Sequence, residues 1–67
     1  MSNKLGLQMV YTLDQQIACA NRELAKRNEV YPRLIEKGKL SDSKADMEIG
    51  LMNAIIESLE RLKGLEK

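Results

Sequence analysis

The chain has no histidine, tryptophan or phenylalanine, and a single cysteine and a single proline among 67 residues. These absences exclude much. One cysteine, Cys19, cannot form a disulfide within the chain. Without histidine it cannot complete a tetrahedral zinc site of the usual thiolate and imidazole ligands either. Catalysis is poorly supplied: no GxSxG elbow, P-loop, GxGxxG or paired-cysteine signature is present, so the chain reads as a non-enzyme with no cofactor and no metal. The core has to be built from aliphatic side chains and methionine.

Long apolar runs are also missing. Nothing approaches the roughly 20 residues of a membrane span. The opening "MSNKLGLQMVYTLDQQ" lacks the apolar core of about 7–15 residues and the small-residue cleavage site of a signal peptide. Together with the lone thiol, this predicts a cytoplasmic protein with no membrane partner. Eleven basic residues against ten acidic ones, a formal net charge of +1, fit neither a DNA mimic nor a strongly basic nucleic-acid binder.

What is present is helical. Thr12, Leu13, Asp14 and Gln15 form a capping box, with Asp14 in the electropositive first turn. From there Leu13, Ile17, Ala20, Leu24, Tyr31 and Leu34 recur at spacings of four and three, and Arg27 fills the missing beat. Glu23 to Arg27 and Glu29 to Arg33 are favourable i,i+4 pairs on the same helix.

Pro32 interrupts this pattern chemically but not in phase. It lacks an amide hydrogen and crowds the carbonyl four residues back, so local rules end the helix near Tyr31. Yet the stripe continues on the same side through Leu34 and Ile35. A first helix over 13–37, bent near Pro32, is therefore predicted, with a break and a short helix at 33–37 as the alternative. Gly38 is the expected residue just past the helix end, between Lys37 and Lys39.

Ser41 then caps a second helix over 42–63, with Asp42 in its first turn and Leu40 placed to staple onto Ala45. So short a connection makes the helices antiparallel neighbours. Ala45, Ile49, Met52, Ile56 and Leu59 form the stripe that faces the first helix. Met47, Leu51, Ala54, Ile55 and Leu62 spread the apolar surface past the roughly 100° that one neighbour covers. Chains of this size bury only about 60% of their unfolded surface, and oligomerisation is the stabiliser left to this one. The second set of residues is thus the predicted oligomer interface, building a helical bundle.

The organisation expected is an all-α antiparallel hairpin over 12–67, preceded by an arm over 1–11. The arm is either a flexible tail or a short extended segment, in which Leu5, Leu7, Met9 and Tyr11 alternate as in a strand. Gly50 sits inside the second helix, where it allows close approach or is simply tolerated at the surface. Cys19 lies off the stripe and reads as a small helix filler. The basic residues Arg22, Lys26, Arg27 and Arg33, with Tyr31, are the candidate ligand-binding group, although Glu23, Glu29 and Glu36 neutralise much of that charge. Arg27 stands apart because it occupies a stripe position. It suits a snorkelling side chain, a partner for a second-helix acid such as Glu48, or an anion-binding group.

Arg22, Glu23, Arg27, Val30, Tyr31, Pro32, Gly38, Lys39, Leu40, Ser41, Ala45, Glu48 and Ile49 give the pattern R-E-x3-R-x2-V-Y-P, G-K-L-S and A-x2-E-I. In this pattern the chain resembles short helical-hairpin proteins encoded by bacteriophages and prophages. The likeness covers residues 17–59 and implies a viral origin and a hairpin fold, and carries no activity with it. The expectation is a non-enzymatic phage accessory protein, a homo-oligomer that binds or inhibits a host or phage protein. The alternative is an oligomeric binder of an anionic ligand, a nucleotide signal or nucleic acid, through the basic residues of the first helix.

Overall fold

The computed structural model describes residues 10–66, and over these the chain is an antiparallel pair of helices: α1, Leu13–Glu36, and α2, Asp42–Leu65. There is no strand among the described residues. The expectations for Leu5, Leu7 and Met9 fall outside them. Tyr11, the last residue of the anticipated arm, is exposed.

Each helix starts and stops where local chemistry directs. The Thr12 hydroxyl accepts from the Gln15 amide at 3.1 Å, while Gln15 Oε1 accepts from the Thr12 amide at 2.9 Å. This reciprocal box satisfies donors that the first helical turn leaves unpaired. At the other end Gly38 takes φ +73°, a left-handed conformation that side chains with a Cβ resist. The Lys39 amide then reaches back to the Leu34 carbonyl at 2.8 Å and the Gly38 amide to that of Ile35 at 3.0 Å. The two bonds are the complete Schellman closure. Ser41 Oγ starts α2 by accepting from the Lys44 amide at 3.1 Å.

Two features depart from local expectation. α1 runs through Pro32 to Glu36 as one helix, so the alternative of a break followed by a short helix is not what forms. The ring removes the amide that would bond the Asn28 carbonyl, yet Tyr31, Leu34 and Ile35 beyond and beside it remain half-buried. The burial kept on that side offsets the local penalty. α2 in turn ends at Leu65 rather than near residue 63. Gly64 does not adopt positive φ, and the helix closes only when Glu66 turns extended, its amide on the Lys63 carbonyl at 3.0 Å.

The core between the helices is thin. Leu13, Ala20, Ala45, Met52 and Ile56 are buried, with Ala20, Met52 and Ile56 forming one cluster against which Leu24 and Leu59 pack. Both stripes read from the sequence thus face each other. Burying Met52 or Ile56 contributes about 1.5–3 kcal/mol each. No described side chain is less than 2% exposed, because two helices leave every side chain near water.

Candidate protein-interaction surface

Arg27 ties the hairpin together at its seam. Its Nε donates to Glu23 Oε2 at 3.0 Å, one turn back on α1. Its Nη1 crosses to α2 and donates to the backbone carbonyl of Glu48 at 2.9 Å, with Glu48 Oε1 at 3.5 Å. Lys44 Nζ stands 3.4 Å from the other Glu48 oxygen. The guanidinium is held above its ordinary pKa, chiefly by the hydrogen bond it donates to Glu23. Of the roles the sequence leaves open to Arg27, the geometry shows the pairing with Glu48.

A second cross-helix pair lies near the far end, where Lys63 Nζ and Asp14 Oδ1 are 2.6 Å apart. That hydrogen bond raises the Lys63 pKa above its usual value. It joins the start of α1 to the end of α2, as antiparallel packing requires.

The remaining candidate ligand-binding residues do not gather into one group. At roughly 100° per helical residue, Arg22, Lys26 and Arg33 share one side of α1. Arg27 and Tyr31 lie roughly 100–180° around from them. Burial agrees: the first three are exposed, and Arg27 and Tyr31 are half-buried. Arg33 carries an exposed ion pair with Glu29 at 3.4 Å. Arg22 and Lys26, with Cys19 and Glu23, border a small open depression, and Arg22 also lies on the wall of the larger groove between the helices. No group of three or more His, Cys, Asp or Glu side chains among the described residues is placed to hold a metal ion.

Most of the exposed large apolar side chains among the described residues belong to α2. Met47 (51%), Leu51 (51%), Ile55 (48%) and Leu62 (52%) are about half exposed, and Leu65 is 76% exposed. Ala54, the fifth anticipated interface residue, is exposed beside them. These residues occupy an arc centred roughly 130° around α2 from the Ala45, Ile49, Met52, Ile56 and Leu59 stripe that α1 covers, with Ile55 and Leu62 on its nearer edge. α2 is thus apolar on two sides and partnered on one. Ile55 also borders an open groove between the helices, whose walls include Met52 and Leu59 from α2 and Ala18, Cys19 and Ala20 from α1. Cys19 is exposed there.

Leu65 belongs to this surface although it lies beyond the helix end read from the sequence. The spacing held the signal, since steps of four and three from Leu51 pass through Ile55, Ser58 and Leu62 to Leu65. The Asp14–Lys63 pair was missed altogether, because it depends on the register between helices.

Fold and surface together define a small α-helical hairpin with one amphipathic helix and one helix that is apolar on two sides. Comparison with protein-family models, curated proteins and solved structures returns no match. No described helix is long and apolar enough to cross a membrane.

Proposed function

We propose that this chain is a non-enzymatic interaction protein, a hairpin that self-associates through the outer face of α2 and, so assembled, binds a protein. One observation carries the reading: Met47, Leu51, Ile55 and Leu62 stay half exposed on a helix whose other side already packs on α1. A contiguous apolar patch on a soluble surface marks a contact site. The resemblance to phage-encoded hairpins supports a viral accessory role, with a host or phage protein as target and the host cytoplasm as its place of action.

The test is affinity capture with the intact chain against bacterial and phage-infected lysates, alongside Leu51→Glu and Arg33→Glu variants. A partner retained by wild type and Arg33→Glu but lost with Leu51→Glu supports the reading. A partner list unchanged by Leu51→Glu overturns it.

A second reading rests on Arg22, Lys26 and Arg33 sharing one exposed side of α1. Several chains brought together would multiply that charge into a site for an anionic ligand such as a nucleotide or nucleic acid. A nucleotide panel followed by melting temperature tests it. A rise with one nucleotide that Arg22→Ala abolishes supports anion binding, and indifference to the whole panel removes it.

A further inference from the structure

Resting on that reading, we infer that the outer face of α2 is covered by a second copy of the chain. The two α2 helices lie antiparallel about a two-fold axis, with Leu51 of each opposite the partner's Leu62 and Ile55 opposite the partner's Ser58.

Spacing supplies the first argument. Leu51, Ile55, Ser58, Leu62 and Leu65 follow steps of four, three, four and three, the repeat that keeps one helix seam on another. No charged residue interrupts these positions. A face made for an irregular partner surface has no need of this period, whereas another helix has.

The second argument is self-complementarity. Reversing the seam about the midpoint between Ile55 and Ser58 brings leucine onto leucine at Leu51 and Leu62, and large onto small at Ile55 and Ser58, while Leu65 at the edge comes beside the partner's Glu48. An isologous interface requires such a match, because each patch meets its own reverse. Large residues facing small ones let the layers interdigitate. Ala54, exposed next to the axis, adds no bulk that would hold the helices apart.

Charge decides the direction. Continued toward the start of α2, the same spacing passes through Glu48 to Lys44. A parallel copy would set Lys44 against the partner's Lys44 and Glu48 against the partner's Glu48. An antiparallel copy instead carries Lys44, half exposed at its side chain, to the end of the partner helix that bears Glu66, and does so twice by symmetry. It also opposes the two helix dipoles. α1, with Arg22, Lys26 and Arg33 on its outer side, stays in water, and the assembly is a four-helix bundle with both α2 helices inside.

Cysteine cross-linking with Cys19 replaced by Ser tests the register on the full chain. Leu51→Cys and Leu62→Cys proteins, mixed and oxidised, should give covalent dimer about tenfold or more above either protein alone, since only the mixture sets the two thiols opposite each other. Leu51→Cys linking efficiently to itself would overturn the antiparallel register and leave self-association standing. An oligomer by light scattering that neither pairing links would overturn α2 pairing altogether. A wild-type chain that stays monomeric up to its solubility limit would overturn both this inference and the self-association in the proposed function. Ile55→Glu is the companion variant: its side chain is half exposed in the hairpin, so helix content by circular dichroism should persist while the dimer dissociates.

Discussion

The Arg27 guanidinium donates to the backbone carbonyl of Glu48 at 2.9 Å, so an α1 side chain is fixed to the α2 main chain rather than only to a mobile carboxylate. The same guanidinium holds Glu23 at 3.0 Å, and its planar fork serves both directions at once. Arg27→Ala should lower the melting temperature clearly more than Arg33→Ala, whose pair with Glu29 is two-thirds exposed on both sides and therefore nearly neutral. Arg27→Lys should fall between wild type and Arg27→Ala, because an ammonium supplies charge without the fork. Thermal melts of the three variants check the order, and equal effects for Arg27→Ala and Arg33→Ala would contradict the seam role.

Pro32 lies inside α1 at an exposed position. Pro32→Ala restores an amide to the Asn28 carbonyl and relieves crowding in the preceding turn, effects worth up to about 3 kcal/mol in a helix interior. The variant should be more stable by about 1–3 kcal/mol in urea unfolding. A loss of stability would mean that the proline ring is needed where it stands.

Gly38 closes α1 at φ +73°, and a Cβ built there meets nothing within 4 Å. The cost of Gly38→Ala is then conformational, about 1–2 kcal/mol, with no steric clash added. Gly38→Asn should cost less, since asparagine tolerates this region. Chemical denaturation of both variants separates the two effects.

Met52 and Leu51 are neighbours in sequence with opposite surroundings. Met52 is 8% exposed and Leu51 51%. Met52→Ala should cost about 2–3 kcal/mol through lost burial and the cavity left behind. Leu51→Ala should leave the hairpin's helix content intact and weaken association instead. Unfolding curves recorded over a range of protein concentrations distinguish the outcomes, because loss of an intermolecular contact reduces the concentration dependence.

Lys63 has its pKa raised from 10.5, first by the hydrogen bond to Asp14 and then by the charge of the same carboxylate. A raised folded-state pKa means that its contribution is fully present below the unfolded value and is lost as pH rises through the folded one. The stability difference between wild type and Lys63→Gln should therefore hold steady from neutral pH to about 9 and close above the ordinary lysine range near 10.5. Melting curves of both proteins across that interval test the sign.

Much of the fold was legible because it is local. Thr12 with Gln15, Gly38 and Ser41 set helix ends through bonds spanning three to five residues, and these depend on residue type alone. The period of Leu13, Ile17, Ala20 and Leu24, answered by Ala45, Ile49, Met52 and Ile56, identified which sides meet. The same arithmetic places Arg27 and Tyr31 away from Arg22, Lys26 and Arg33, so grouping them by nearness in sequence passed over a distinction that the spacing already held.

Tertiary structure decided the rest. Local chemistry at Pro32 argues for a stop, yet α1 continues to Glu36, with Tyr31, Leu34 and Ile35 half-buried in the folded hairpin. The sequence left three roles open to Arg27, pairing with Glu48 among them, and named no partner for Lys63, since an ion pair between helices depends on their relative register. That register is set when the two apolar stripes settle against one another, and it brings Arg27 to the Glu48 carbonyl and Lys63 to Asp14.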